Sequence, residues 1–127
     1  MAGRGTYSTG LSPEQQYKTV GEIDGVKILV GNKETGMHRL PEEAHSSKMY
    51  LRMHNDGTMR ALRIYGDDHY LHTEIEYHPE PTLTGDHRPV LHVHYYDKNF
   101  KRTDAAYLDR NTFEKYKKYM RGREWYD

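Results

Sequence analysis

Hydrophobic and polar residues alternate in short runs along most of this chain. Met49, Leu51 and Met53 alternate with Tyr50, Arg52 and His54, the period-two pattern of a strand with one buried face. Leu71, Thr73, Ile75 and Tyr77 alternate in the same way with His72, Glu74, Glu76 and His78 over the run Tyr70 to His78. Between Val90 and Tyr96 the inward set is Leu91, Val93 and Tyr95, which leaves His92, His94 and Tyr96 facing out. The run Thr58 to Tyr65 breaks step, because Met59 and Ala61 are odd while Leu62 and Ile64 are even. A bulge near Ala61-Leu62 or a strand buried on both faces accounts for that slip.

Turn chemistry separates these runs. Lys18 to Ile23 and Val26 to Val30 flank Asp24-Gly25, a two-residue hairpin signal. Asn55-Asp56-Gly57, Gly66-Asp67-Asp68 and Asp97-Lys98-Asn99 mark further turns, and Pro79-Glu80-Pro81 stops a strand because proline has no N–H for a ladder. Gly31 to Lys48 has the composition of a loop, within which Pro41 with Glu42 and Glu43 suits a single helical turn. A last short strand is expected over Thr103 to Leu108. Asn111-Thr112-Phe113-Glu114 then opens a helix, with Asn111 as cap and Phe113, Tyr116 and Met120 as its apolar stripe.

The expected fold class is α+β. Its parts are an antiparallel meander of five to seven strands, an N-terminal hairpin and one C-terminal helix. Residues 1–16, small and polar and Gly-rich at their start, read as a flexible arm, and residues 17–127 as a single domain.

Composition narrows the function classes. Nineteen Lys+Arg balance nineteen Asp+Glu in 127 residues, which argues against a protein that coats nucleic acid through a general excess of cations. A local basic patch is still compatible with that total. The absence of cysteine removes disulfides, thiolate nucleophiles and Cys-containing zinc sites. No run is apolar enough for a membrane span or a signal-peptide core, so no membrane partner is expected and the protein is placed in a cytoplasm.

The candidate chemistry lies in the histidines. Six of nine, at positions 69, 72, 78, 87, 92 and 94, fall within 26 residues. Residues two apart on a strand share a face, so His92 and His94 point the same way. If the run Tyr70 to His78 pairs with Val90 to Tyr96, His72, Glu74, Glu76 and His78 join them on one surface. Three readings stay open for it. It is an ordinary solvated face, or an acid–base site acting on phosphate esters, or a metal site built from His92 and His94 with His78, Glu76 or His87. No HExxH or comparable ligand motif is present, so the expectation is no metal and no cofactor. In the acid–base reading, His92 and His94 exchange protons with substrate, Glu76 or His78 orients one imidazole, and Arg52 or Arg63 neutralises phosphate. Parity puts Arg52 on the polar face and leaves Arg63 open. Tyr95, Tyr96, Tyr116 and Tyr119 are candidates to stack a base, with the core and rim of the sheet as their alternative role, and Tyr96 is the one taken as ligand-binding. The loop that ends in His45, Ser46 and Ser47 is a second candidate for ligand binding.

The stretch from Asn55 to Tyr96 resembles C-terminal modules of bacterial polymorphic toxins. The resemblance lies in Arg63-Ile64-Tyr65, Glu74-Ile75-Glu76-Tyr77-His78 and His92-Val93-His94-Tyr95-Tyr96. It departs from the pattern at Leu91, where proline is usual, and at Tyr96, where tryptophan is common. The whole chain, including Leu40 to Ser47, also looks like small proteins encoded by phages and prophages of Gram-positive bacteria. That likeness implies an accessory protein in the host cytoplasm.

The expected function is therefore recognition of a small phosphorylated ligand, a nucleotide or RNA, on the His-rich face. If the protein is an enzyme, it is a metal-independent phosphodiesterase or ribonuclease. A non-catalytic anti-defence binder of a nucleotide signal or of a host defence protein is the first alternative. A virion-associated structural protein is the second. A homo-oligomer is compatible with each.

Overall fold

The computed structural model describes residues 17–31, 48–99 and 101–125. Seven strands form one sheet in sequence order: β1 (Tyr17–Ile23), β2 (Val26–Gly31), β3 (Met49–Met53), β4 (Met59–Tyr65), β5 (Leu71–Pro79), β6 (Pro89–Tyr95) and β7 (Ala106–Tyr107). A single helical turn, α1 (Pro81–Thr84), lies between β5 and β6. Helix α2 (Arg110–Tyr116) and a 3₁₀ turn (Lys117–Tyr119) follow β7. The architecture is thus the α+β meander expected. No helix among the described residues is long and apolar enough to cross a membrane.

The β1–β2 hairpin turns at Asp24 and Gly25 with φ of 48° and 85°, the double left-handed turn that an Asp-Gly pair accommodates. One pairing departs from the expected antiparallel order: β2 and β3 run parallel, through Lys27 opposite Tyr50 and Ile28 opposite Leu51. Parallel neighbours need a connection of roughly a dozen residues or more, and the stretch between β2 and β3 is long enough to provide it.

The parity slip in β4 has a local cause. Arg52 pairs with Ala61 and Met53 with Met59, so Arg60 is skipped in the register. That bulge brings Met59 and Leu62 to one face, while Ala61, Arg63 and Tyr65 take the other. It sits just before the position read from the sequence, and the strand is also buried on both sides. A second shift skips His72, because Ile64 pairs with Thr73 and Tyr65 with Leu71. Leu71 therefore packs with Leu29, Tyr50, Ala61 and Tyr65, not with Ile75 as simple alternation requires.

The main core lies on the helix-covered face. Leu51, Leu62, Ile75 and Val93 are cross-strand neighbours in one row and are almost wholly buried. Leu108, Phe113, Tyr119 and Met120 cover them. Tyr95, expected inside, is 43% exposed near the edge of the sheet.

The helix cap is one turn-start earlier than expected. Asp109, not Asn111, accepts from the Thr112 amide (2.7 Å) and from the Thr112 hydroxyl (3.1 Å), and Asn111 lies inside α2. Both residue types suit an N-cap, and Asp109 wins because Thr112 stands at the right spacing to donate twice. The expected strand from Thr103 to Leu108 shrinks to Ala106–Tyr107, with an isolated Tyr96–Arg102 bridge before it.

Candidate functional site

The opposite face of the same four central strands carries the charged residues. Register aligns them in two neighbouring rows. Tyr50, Arg63, Glu74 and His94 form one row across β3 to β6. Arg52, Ala61, Glu76 and His92 form the next, which continues to Tyr107 on β7. Directly opposed side chains on adjacent strands are close enough to interact, so these rows are chains of contact.

Of the three readings kept open for this face, the ordinary solvated one does not hold for its central residues. His92 is 0% exposed, and His94, Arg63 and Glu74 are each below 5%. Burial of charge demands partners, and in the first row they are present. Arg63 Nε donates to Glu74 Oε2 at 2.7 Å, and the Tyr96 hydroxyl donates to Glu74 Oε1 at 3.3 Å. Burial pushes the Arg63 guanidinium toward neutrality, but the Glu74 carboxylate outweighs it and holds the charge. Tyr96, half-buried beside Glu74, has its hydroxyl pushed above the usual tyrosine range by burial and then by that carboxylate.

In the second row the balance is incomplete. His92 Nδ1 lies 2.9 Å from the Val90 carbonyl, which can only accept, so Nδ1 carries the proton. Its Nε2 is 3.3 Å from Glu76 Oε1 and 3.9 Å from Glu80 Oε2. These are ion-pair distances, but the approach is not aligned for a hydrogen bond, and this buried nitrogen has no hydrogen-bond partner. Burial lowers the His92 pKa, and the facing Glu76, the Val90 carbonyl and Glu80 together raise it further than that, so it ends above the ordinary imidazole value. Glu76 shows the converse. Burial raises its pKa, while His92, His78 and Arg63 draw it below the usual carboxylate value. His94 repeats the arrangement of His92, with Nδ1 at 2.9 Å from the Thr103 carbonyl, and the two rings meet edge to face at 5.1 Å.

A cavity of about 380 Å³ opens onto these rows. Arg52, Arg60, Arg63 and Arg102 line it together with Glu74, Glu76, Glu80, His78 and His94. The bulge places Arg60 here, since a skipped residue escapes strand alternation and can re-aim its side chain. Glu80 and Pro81, at the start of α1, also line the cavity. This turn is held by the Tyr107 hydroxyl, which donates to the Leu83 carbonyl at 3.0 Å, and by Gly85 in a left-handed C-cap.

Of the expected catalytic residues, Glu76, His78 and His94 line the cavity, while His92 lies behind Glu76, out of reach of a ligand-sized group. Arg52 and Arg63 line it as well. Tyr96 touches the site through Glu74 and is not among the residues that line the cavity. His45, Ser46 and Ser47 lie outside the described residues. Sequence reasoning missed Glu74, Arg60, Arg102 and Glu80 as members of the site. Glu74 was legible as a face-mate of Glu76; the others reach the cavity through a bulge, a helical turn and an isolated bridge, none of which alternation reports.

Compared with protein-family models, with curated proteins and with solved structures, the chain matches none.

Proposed function

We propose that the arginine-lined cavity binds a phosphate-bearing ligand, a nucleotide or the end of an RNA, in a cytoplasmic setting. The charge of the wall is the observation that supports this. Four arginines, Arg52, Arg60, Arg63 and Arg102, line it against three carboxylates, Glu74, Glu76 and Glu80, and Arg63 is paired with Glu74. Glu76 is turned toward His92, and Glu80 Oε1 accepts from the Thr82 hydroxyl at 2.8 Å. The cavity therefore presents a surplus of planar cationic donors, the geometry that suits phosphate oxygens. Its volume fits a mononucleotide or one terminal residue of a strand better than a duplex.

Cleavage of that ligand is the second reading, favoured by Glu76, His78 and His94 at the wall. These are groups able to move protons next to a bound phosphate ester.

Direct binding tests the first reading: titration with inorganic pyrophosphate, the four nucleoside monophosphates and a fluorescent RNA oligonucleotide, at two salt concentrations. Arg102→Ala and Arg60→Ala should each weaken binding by roughly tenfold, the loss of about one charge-assisted contact. Equal affinity in wild type and in both variants overturns it. End-labelled RNA incubated with wild type and with Glu76→Gln tests the second.

A further inference from the structure

We infer that Glu76, His92 and His94 form a binding centre for a single divalent transition-metal ion, with the open coordination positions facing the cavity. This replaces the metal-free chemistry expected from the sequence, and it does not depend on the phosphate proposal.

Three observations carry it. First, one ligand atom from each of the three residues, an imidazole nitrogen from each histidine and a carboxylate oxygen from Glu76, lies within 4.8 Å of the others. Bonds of 2.0–2.2 Å to a common ion place neighbouring donors about 3–3.5 Å apart. The Glu76–His92 pair already stands at 3.3 Å, and the His94 donor, within 4.8 Å of both, has to close in by no more than about 1–2 Å. Second, both imidazoles are fixed in the same way. Each Nδ1–H is held by a main-chain carbonyl, Val90 for His92 and Thr103 for His94. That leaves Nε2 of each ring as the electron-pair donor, and it is the arrangement that orients metal-bound histidines. Third, His92 Nε2 is wholly buried, has no hydrogen-bond partner and faces a carboxylate. Unsatisfied buried polar atoms in native structures are few and call for a cause. A cation between Nε2 and Glu76 supplies one.

The donor set chooses the class of ion. Two imidazoles and one carboxylate suit zinc, iron(II), cobalt(II) or manganese(II), whereas magnesium and calcium prefer oxygen. Three protein ligands leave room for water or a ligand oxygen, and Glu76 and His94 both reach the cavity wall.

The test uses the full chain stripped with a chelator and titrated separately with Co²⁺, Zn²⁺ and Mg²⁺. We expect visible cobalt d–d bands that saturate at a single equivalent, a Zn²⁺-dependent rise in Tm, and no rise with Mg²⁺. His94→Ala and Glu76→Gln should each weaken Co²⁺ binding by at least about tenfold. His87→Ala, which alters an exposed histidine that the sequence offered as a third ligand but that is not in this group, should leave it unchanged. Far-UV circular dichroism of each stripped variant separates lost ligation from lost folding, and Glu76→Gln, which alters a cavity-wall side chain, covers the case in which His94→Ala does not fold. Absence of the cobalt spectrum in wild type overturns the inference. So does a spectrum unchanged in the folded variants, or a Mg²⁺ shift equal to that with Zn²⁺.

Discussion

The two faces of the central sheet share one backbone and solve burial in opposite ways. On the helix side, Leu51, Leu62, Ile75 and Val93 meet across β3 to β6 and need only to exclude water. On the other side, one residue along each strand, Tyr50, Arg63, Glu74 and His94 meet in the same register and must satisfy charge. Apolar burial is non-directional and contributes in proportion to area. A buried polar row contributes little net stability when complete and costs several kcal/mol when a member is missing. The first polar row is closed by the Arg63–Glu74 pair and Tyr96, and the second contains the unpartnered His92 Nε2. The first kind of face supplies stability, while the second row leaves one buried nitrogen without a hydrogen-bond partner.

Cutting the completed row should give the largest effect. Arg63→Ala leaves the Glu74 carboxylate buried and loses about 3–5 kcal/mol in urea unfolding. The double change Arg63→Met with Glu74→Leu makes this face resemble the other and should recover most of the loss. A double variant no more stable than Arg63→Ala would show that the row is held by more than its central pair.

The helix face can be stressed where the chain returns to β4. Arg123 Nε donates to the Met59 carbonyl at 2.9 Å, and its guanidinium lies 3.6 Å from the centre of the Tyr77 ring. The intervening Gly122 has φ of +80°, and a Cβ there would come within 2.5 Å of Thr58 Cγ2. Gly122→Ala should cost about 1–3 kcal/mol. Adding Thr58→Ser, which removes that methyl, should return the steric part and leave the backbone part. If the second change returns nothing, the strain is entirely conformational.

His54, at the end of β3, gives the smallest signal. Burial, followed by Arg123, Arg60 and Arg52, lowers its pKa below the ordinary histidine value. The folded protein therefore takes up this proton less readily than the unfolded chain. The associated stability is present above the unfolded value and is lost as pH falls below about 6.5. His54→Ala should flatten the slope of denaturation midpoint against pH between about 7 and 5. An unchanged slope would mean that the arginines are screened at this position.

Much of the frame was legible in the chain. The Asp24-Gly25 hairpin, β3, β5 and β6 follow from alternation and turn residues, and so does the sharing of one face by Glu76, His92 and His94. The sequence also excluded thiolate chemistry and disulfides, since cysteine is absent. Alternation says which side chains share a face, because strand geometry is local. It cannot say whether that face is covered, which strands lie side by side, or where one extra residue re-aims the next. Those are properties of pairing between distant segments, and the tertiary structure alone decided them. The parallel β2–β3 pair, the Arg60 bulge and the burial of His92 behind Glu76 all arise in this way. Together they turn a row of polar residues, legible as a solvated surface, into a buried site with one donor atom left over.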